Sequence, residues 1–213
     1  MQAHVYCGGM AETNGYLIQA GSAALLVDAP EGMADWVATL SHQLQLQPAG
    51  LLLTHGHWDH IVDAAKIQRK FNVPVWIHRD SAPLLEQPAI QAAFNPFLEI
   101  EPCRADRVLE AEGNLTLAVF QFDCRLCPGH CPGSLCFYFA AERWLFGGDV
   151  LFAGGVGRWD LPGGSRERLA AAIASRLLTL PGETRVFAGH GPATTLDKER
   201  RTNPFLAGLQ PTV

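Results

Sequence analysis

Three imidazoles and a carboxylate fall within seven consecutive residues, Thr54 to His60 (THGHWDH), just after the apolar run Gly50 to Leu53. No single metal ion can be reached by all four side chains at such close spacing, so the run asks for two ions. In an extended turn His55 and His57 project to one side and can grip one ion, while Asp59 and His60 point to a second position beside it. A solitary His-x-His is an ordinary surface or turn feature. Here three more candidate ligands stand at the ends of apolar runs: His130 in CPGHCPGS, Asp149 in LFGGDV and His190 in VFAGHGP. Glycine-flanked strand ends are where a sheet scaffold presents ligands to a common cleft, so the seven residues read together as a metal site.

The rest of the chain narrows the setting. At 213 residues, 48% hydrophobic and 17% charged, it suits one well-packed domain over residues 1–213. A net charge of -5 provides no electrostatic footprint for nucleic acid. The opening MQAHVYCGGMAETNG lacks the charge and apolar stretch of a signal peptide, and no run approaches membrane-spanning length. The expectation is a cytoplasmic protein with no membrane partner; its oligomeric state is not legible. Six cysteines are then read as reduced. Four of them (Cys124, Cys127, Cys131, Cys136) crowd around His130 in CRLCPGHCPGSLC, as small buried residues or, alternatively, as a structural metal site or redox-sensitive pair. His4, His42 and His78 lie outside the motifs and read as surface or hydrogen-bonded structural histidines.

Alternation and β-branched enrichment predict strands at Tyr16 to Ile18, Ala24 to Val27, Gly50 to Leu53, Val75 to Ile77, Leu115 to Phe122, Leu135 to Phe139, Arg143 to Phe146 and Arg185 to Phe187. Helical periodicity is best at Met33 to Leu44, His60 to Phe71 and Arg166 to Leu180, the last with Ser165 as N-cap. Two strand clusters punctuated by helices fit two packed sheets with helices on their outer faces.

The HxHxDH run, the later PGH-x-PGS, a GGD after a strand and a GH near the end, with TNGYLI, LLVDAP, LFAGGVGRWDLPGGS and RTNPFL, together resemble the metallo-β-lactamase-fold hydrolases. More closely they resemble the small glyoxalase II-like (hydroxyacylglutathione hydrolase-like) branch, over nearly the whole chain. The resemblance implies an α+β fold, a four-layer αβ/βα sandwich with two mixed β-sheets flanked by helices. It assigns His55, His57 and His130 to a first metal, Asp59, His60 and His190 to a second, and Asp149 as the bridge. It makes Asp28 a candidate anchor for the HxHxDH loop, with a turn-capping aspartate as the plain alternative. The bridging carboxylate departs from the β-lactamases proper, which disfavours antibiotic hydrolysis.

In such a site two cations sharing a bridging oxygen supply hydroxide at neutral pH to attack a carbonyl, with Asp59 and Asp149 as the catalytic carboxylates. A thioester suits it, because a thiolate leaves without a dedicated side-chain acid. Zinc is the default ion, and iron or manganese accept the same ligands. The substrate expectation is a small acyl-thiol such as an S-(2-hydroxyacyl)glutathione. Glyoxalase II's C-terminal helical domain has no room after RTNPFL, and Asp160, Pro192 and Ala207 stand where the family's glutathione-clasping residues are usual. Arg158 is the candidate for gripping a substrate anion, with a surface salt bridge as the alternative, and Trp159 for lining the same mouth. The rival readings are a mono-iron persulfide dioxygenase, an ester or lactone hydrolase, and a sensing protein built around the cysteines.

Overall fold

The computed structural model describes residues 1–94 and 99–211. They fall into two compact units, residues 1–110 with 116–120 and residues 111–115 with 121–213. The first unit is built on a six-stranded mixed sheet ordered β1 (Gln2–Gly8), β2 (Thr13–Ala20), β3 (Ala23–Val27), β4 (Gln47–Leu52), β5 (Val75–His78) and β6 (Arg107–Leu109). The first three strands pair antiparallel, and β3 to β6 pair parallel. β3 and β5 are buried almost throughout, which is why they appear in the sequence as unbroken apolar runs. Helices α1 (Met33–Leu44), α2 (Trp58–Ile61), α3 (Ala64–Phe71) and α4 (Ala82–Glu86) follow strands of this sheet. Met33, Ala34 and Val37 of α1 and Ala64 and Ile67 of α3 share one apolar cluster with Leu17, Leu26, Leu51 and Val75.

The second sheet is ordered β12 (Thr194–Thr195), β11 (Arg185–Ala188), β10 (Trp144–Gly148), β9 (Leu135–Phe139), β8 (Phe120–Leu126) and β7 (Gly113–Leu117). It too is mixed, with β10 parallel to β11 and antiparallel to β9. Helices α5 (Arg166–Ala172) and α6 (Leu196–Thr202) contribute Leu169, Ala172 and Leu196 to a core with Leu145, Val186 and Cys136. A file of rings, Phe122 to Phe139 to Phe146 to Phe187, runs across the strands with centroids 5.5, 5.6 and 4.8 Å apart. Each such aromatic pair adds about 0.5–1.5 kcal/mol beyond its area burial. Two mixed six-stranded sheets with helices are the α+β class the sequence predicts. Among the described residues no helix is long and apolar enough to cross a membrane.

Strands β1, β6 and β12 and helices α4 and α6 were not expected, and three expected elements are divided or shortened. The helix expected over His60 to Phe71 is broken between α2 and α3, because Ala29 captures the backbone there: its N–H donates to His60 O at 2.8 Å and its carbonyl accepts from Asp63 N at 2.9 Å. The strand expected over Leu115 to Phe122 is a hairpin whose two-residue turn, Ala118 and Val119, carries none of the usual turn residues, although Ala118 is left-handed at φ 53. The helix expected to Leu180 ends as α5 at Ala172 and continues as a single π-helical turn, Ile173–Leu177. Its start is as expected, with Ser165 Oγ accepting from Arg168 N at 3.2 Å.

Candidate metal centre

In the first unit the chain leaves β4 and turns through Thr54–His57 into α2, gathering His55, His57, Asp59 and His60. The His55 ring lies 4.7 Å from His57 and 4.2 Å from His60, centroid to centroid. The turn is held by Asp28, at the end of β3. The Asp28 carboxylate, 1% exposed, accepts from Thr54 N at 2.7 Å, from Thr54 Oγ1 at 2.8 Å and from His60 Nδ1 at 2.9 Å. Bonds to a charged group contribute about 1.5–3 kcal/mol each. They offset the left-handed backbone at Asp28, φ 58, which costs about 1–2 kcal/mol.

This network sets the tautomers. A carboxylate only accepts, so His60 Nδ1 carries the proton and Nε2 carries the lone pair. Thr54 directs its one hydroxyl proton to Asp28, so its oxygen accepts from His55 Nδ1 at 3.0 Å, and His55 likewise presents Nε2 as the basic nitrogen. Asp59 is aimed by Thr13 on β2, whose hydroxyl donates to Oδ2 at 2.7 Å. Gln91 clamps the turn, accepting from Trp58 N and donating to Gly56 O, each at 2.9 Å.

In the second unit the ligand candidates are dispersed in sequence. Asp149 follows β10, His190 follows β11 and His130 lies in the turn between β8 and β9. Asp149 Oδ2 stands 3.6 Å from His130 Nε2 and 3.4 Å from His190 Nε2. His130 Nδ1 donates to the Arg158 carbonyl at 2.7 Å, so Nε2 is again the basic nitrogen. Gly157 permits that contact: a Cβ there would lie 1.9 Å from Asp149 O and 3.0 Å from His130 Nδ1.

The donor set fits divalent metal. Two ligands each about 2.1 Å from a tetrahedral ion stand about 3.4 Å apart. That matches both Asp149 separations and the 3.4 Å between His60 Nε2 and Asp59 Oδ2. A direct hydrogen bond between such atoms would be about 2.7–3.2 Å. Among the described residues, histidines and carboxylates form groups of three able to hold a metal ion, consistent with one or two ions.

Arg158 is exposed and its guanidinium is taken by Asp160, with Nε to Oδ1 and NH2 to Oδ2 both 2.8 Å. That bidentate bond and an Asp160 backbone hydrogen bond hold the Asp160 carboxyl down at about 2. Trp159 lies 5.5 Å from Phe205, ring to ring. Cys124, Cys127, Cys131 and Cys136 are buried and outside any disulfide, and the hydrogen bond with Cys127 together with burial pushes the Cys136 thiol well up. Thr13, Thr54, Gln91 and the Arg158 carbonyl escaped the sequence reading. They carry no metal-ligand chemistry of their own, and only the TNG and THG motifs containing the two threonines hinted at them.

The profile of the Metallo-beta-lactamase superfamily matches residues 8–190, and the chain belongs to that superfamily. It is 38% identical over 185 residues to "Hydroxyacylglutathione hydrolase GloC" of Haemophilus influenzae, covering 86% of this chain and 87% of the relative. Among solved structures it is similar to the BLEG-1 B3 metallo-beta-lactamase (37% identity, TM-score 0.92, 97% of this chain and 100% of that one). It is also similar to TTHA1623 in a di-iron-bound form (38% identity, TM-score 0.85, 95% of this chain and 100% of that one). Nearly equal identity to a protein named a hydroxyacylglutathione hydrolase and to one named a B3 metallo-beta-lactamase does not choose a branch within the superfamily.

Proposed function

We propose that the chain is a binuclear-metal hydrolase of small acyl thioesters, of the S-(2-hydroxyacyl)glutathione type. His55, His57 and His130 would hold one ion, Asp59, His60 and His190 a second, and Asp149 would serve both. The observation that carries this reading is the preset donor geometry: Nε2 lone pairs enforced on His55, His60 and His130, and carboxylate-to-imidazole separations of 3.4–3.6 Å. When bound, the ions supply Lewis acidity and a water acid enough to react near neutral pH. Asp59, with Oδ2 tied to Thr13, would orient the attacking water by accepting its hydrogen bond. The titratable side chains of the motifs act as ligands or hold ligands, and a thiolate departs without a side-chain acid, which favours a thioester over an amide. The likeness to a hydroxyacylglutathione hydrolase supports the thioester, and that to a di-iron form supports iron beside zinc.

Elemental analysis paired with a substrate panel tests this. The expected result is two equivalents of zinc, iron or manganese per chain and a thioester kcat/KM at least about tenfold above that for lactones and β-lactams. Preference for a β-lactam or lactone, metal content that never exceeds one equivalent, or sulfite formation from glutathione persulfide would replace it.

A further inference from the structure

The loop that anchors His130 leads into α5, whose first residue, Arg166, has its guanidinium held by rings instead of a carboxylate. Trp159 directly follows Arg158, whose carbonyl binds His130 Nδ1. Trp159 and Phe205 sit ring to ring at 5.5 Å, and the Arg166 guanidinium carbon lies 6.0 Å from the first centroid and 5.4 Å from the second. The platform is fixed from below. Ser165 N donates to Gly129 O at 2.8 Å, Asn203 Oδ1 accepts from Phe205 N at 3.0 Å, and the Asn203 amide donates to Gly155 O and to buried Glu199, each at 2.9 Å. Trp159 is 36% exposed, so part of the platform reaches solvent.

The contrast with Arg158 decides which cation is available. Arg158 gives two N–H groups to Asp160. Among the described residues no carboxylate is hydrogen-bonded or ion-paired to Arg166; the adjacent Glu167 accepts from Ser165 Oγ at 3.1 Å, and its pKa is lowered chiefly by hydrogen bonding, with the Arg166 charge a minor cause. Cation–π contact with two rings orients a guanidinium while leaving N–H groups for an anion.

We infer that Arg166, mounted on Trp159 and Phe205, binds the anionic end of the acyl carrier, so that the favoured thioesters are those whose thiol portion bears a carboxylate or phosphate. This rests on the hydrolase reading above for the word thioester, and on the Arg166 cluster alone for the anion. Arg166 is a specificity residue; nothing places it at the reacting carbonyl.

The test is calorimetric titration of the metal-loaded protein with three thioethers: S-methylglutathione (carboxylates), S-methyl coenzyme A (phosphates) and neutral S-methyl-N-acetylcysteamine. Hydrolysis of the matching S-lactoyl thioesters is measured alongside. Wild type is expected to bind one of the anionic probes at least about tenfold more tightly than the neutral one, with R166Q losing that difference, R166K keeping part of it and R168Q, the same charge change on the same helix, keeping all of it. In hydrolysis R166Q is expected to raise KM for the anionic thioester at nearly constant kcat, and to leave the neutral thioester unchanged. An anion preference that survives R166Q, or a wild type that does not discriminate, overturns the inference. Arg166-dependent binding without thioester turnover leaves the anion site standing and removes the hydrolase reading; turnover with no Arg166 dependence does the reverse.

Discussion

The candidate ligands of the first unit come from one seven-residue segment braced by buried side chains, whereas those of the second come from three separate loops, with His130 held by a backbone carbonyl. Asp28, Thr54, Thr13 and Gln91 brace His55 to His60. The Arg158 carbonyl braces His130, and the backbone of Gly157 leaves no room for a Cβ beside Asp149 O. A side-chain brace can be removed by substitution without moving the chain. A backbone brace can be disturbed only by adding bulk beside it. The two halves should therefore fail differently: the first by losing metal affinity, the second by losing local packing as well.

Asp149→Asn should have the largest effect. It removes the carboxylate proposed to serve both ions and should lower kcat by on the order of 10³-fold, equivalent to several kcal/mol of transition-state stabilisation, with metal content falling in parallel. Asp28→Asn sharpens the contrast, because asparagine tolerates the left-handed backbone at this position but cannot accept from three donors. Metal affinity, measured by competition with a chelator, should fall by about 10–100-fold. Gly157→Ala tests the backbone brace: the added Cβ has no room beside Asp149 O, and thermal unfolding should show a loss of about 1–3 kcal/mol. Gly155→Ala, where a Cβ meets nothing within 4 Å, is the matched control with little change.

The smallest effect concerns a histidine that braces no ligand. Burial is the main cause holding the His78 pKa below its ordinary value of about 6.5, and its Nδ1 accepts from Asp80 N at 3.2 Å. The unfolded chain takes up this proton more readily than the folded one. Stability from this group is therefore complete above about pH 6.5 and declines as pH falls from there toward the folded pKa. His78→Gln should flatten the denaturant midpoint between pH 7 and 5, and an unchanged slope would assign that pH dependence elsewhere.

Legibility followed position in the sheets. The interior strands β2 to β5 and β9 to β11 were each visible as an apolar run, while the edge strands β1, β6 and β12 were missed and β7, the fourth edge, was read together with the start of β8 as one strand. Such strands are half-exposed or very short: β1 alternates without a buried residue, and β12 has only two residues. Neither leaves the continuous hydrophobic signal of a strand buried on both faces.

The sequence by itself determined the candidate ligands by chemical kind, most interior strands and the superfamily, because imidazole spacing and apolar runs are local properties that survive without coordinates. Tertiary structure decided which nitrogen of each bracing-partnered histidine is basic, that Arg158 is occupied by Asp160, and that Arg166 lies over two rings. Those outcomes depend on the direction of single hydrogen bonds and on where side chains come to rest. Asp28 lies 32 residues from His60, Thr13 46 from Asp59 and Arg158 28 from His130. No short-range pattern encodes pairings at such separations; they exist only once the sheets have brought their strand ends into register.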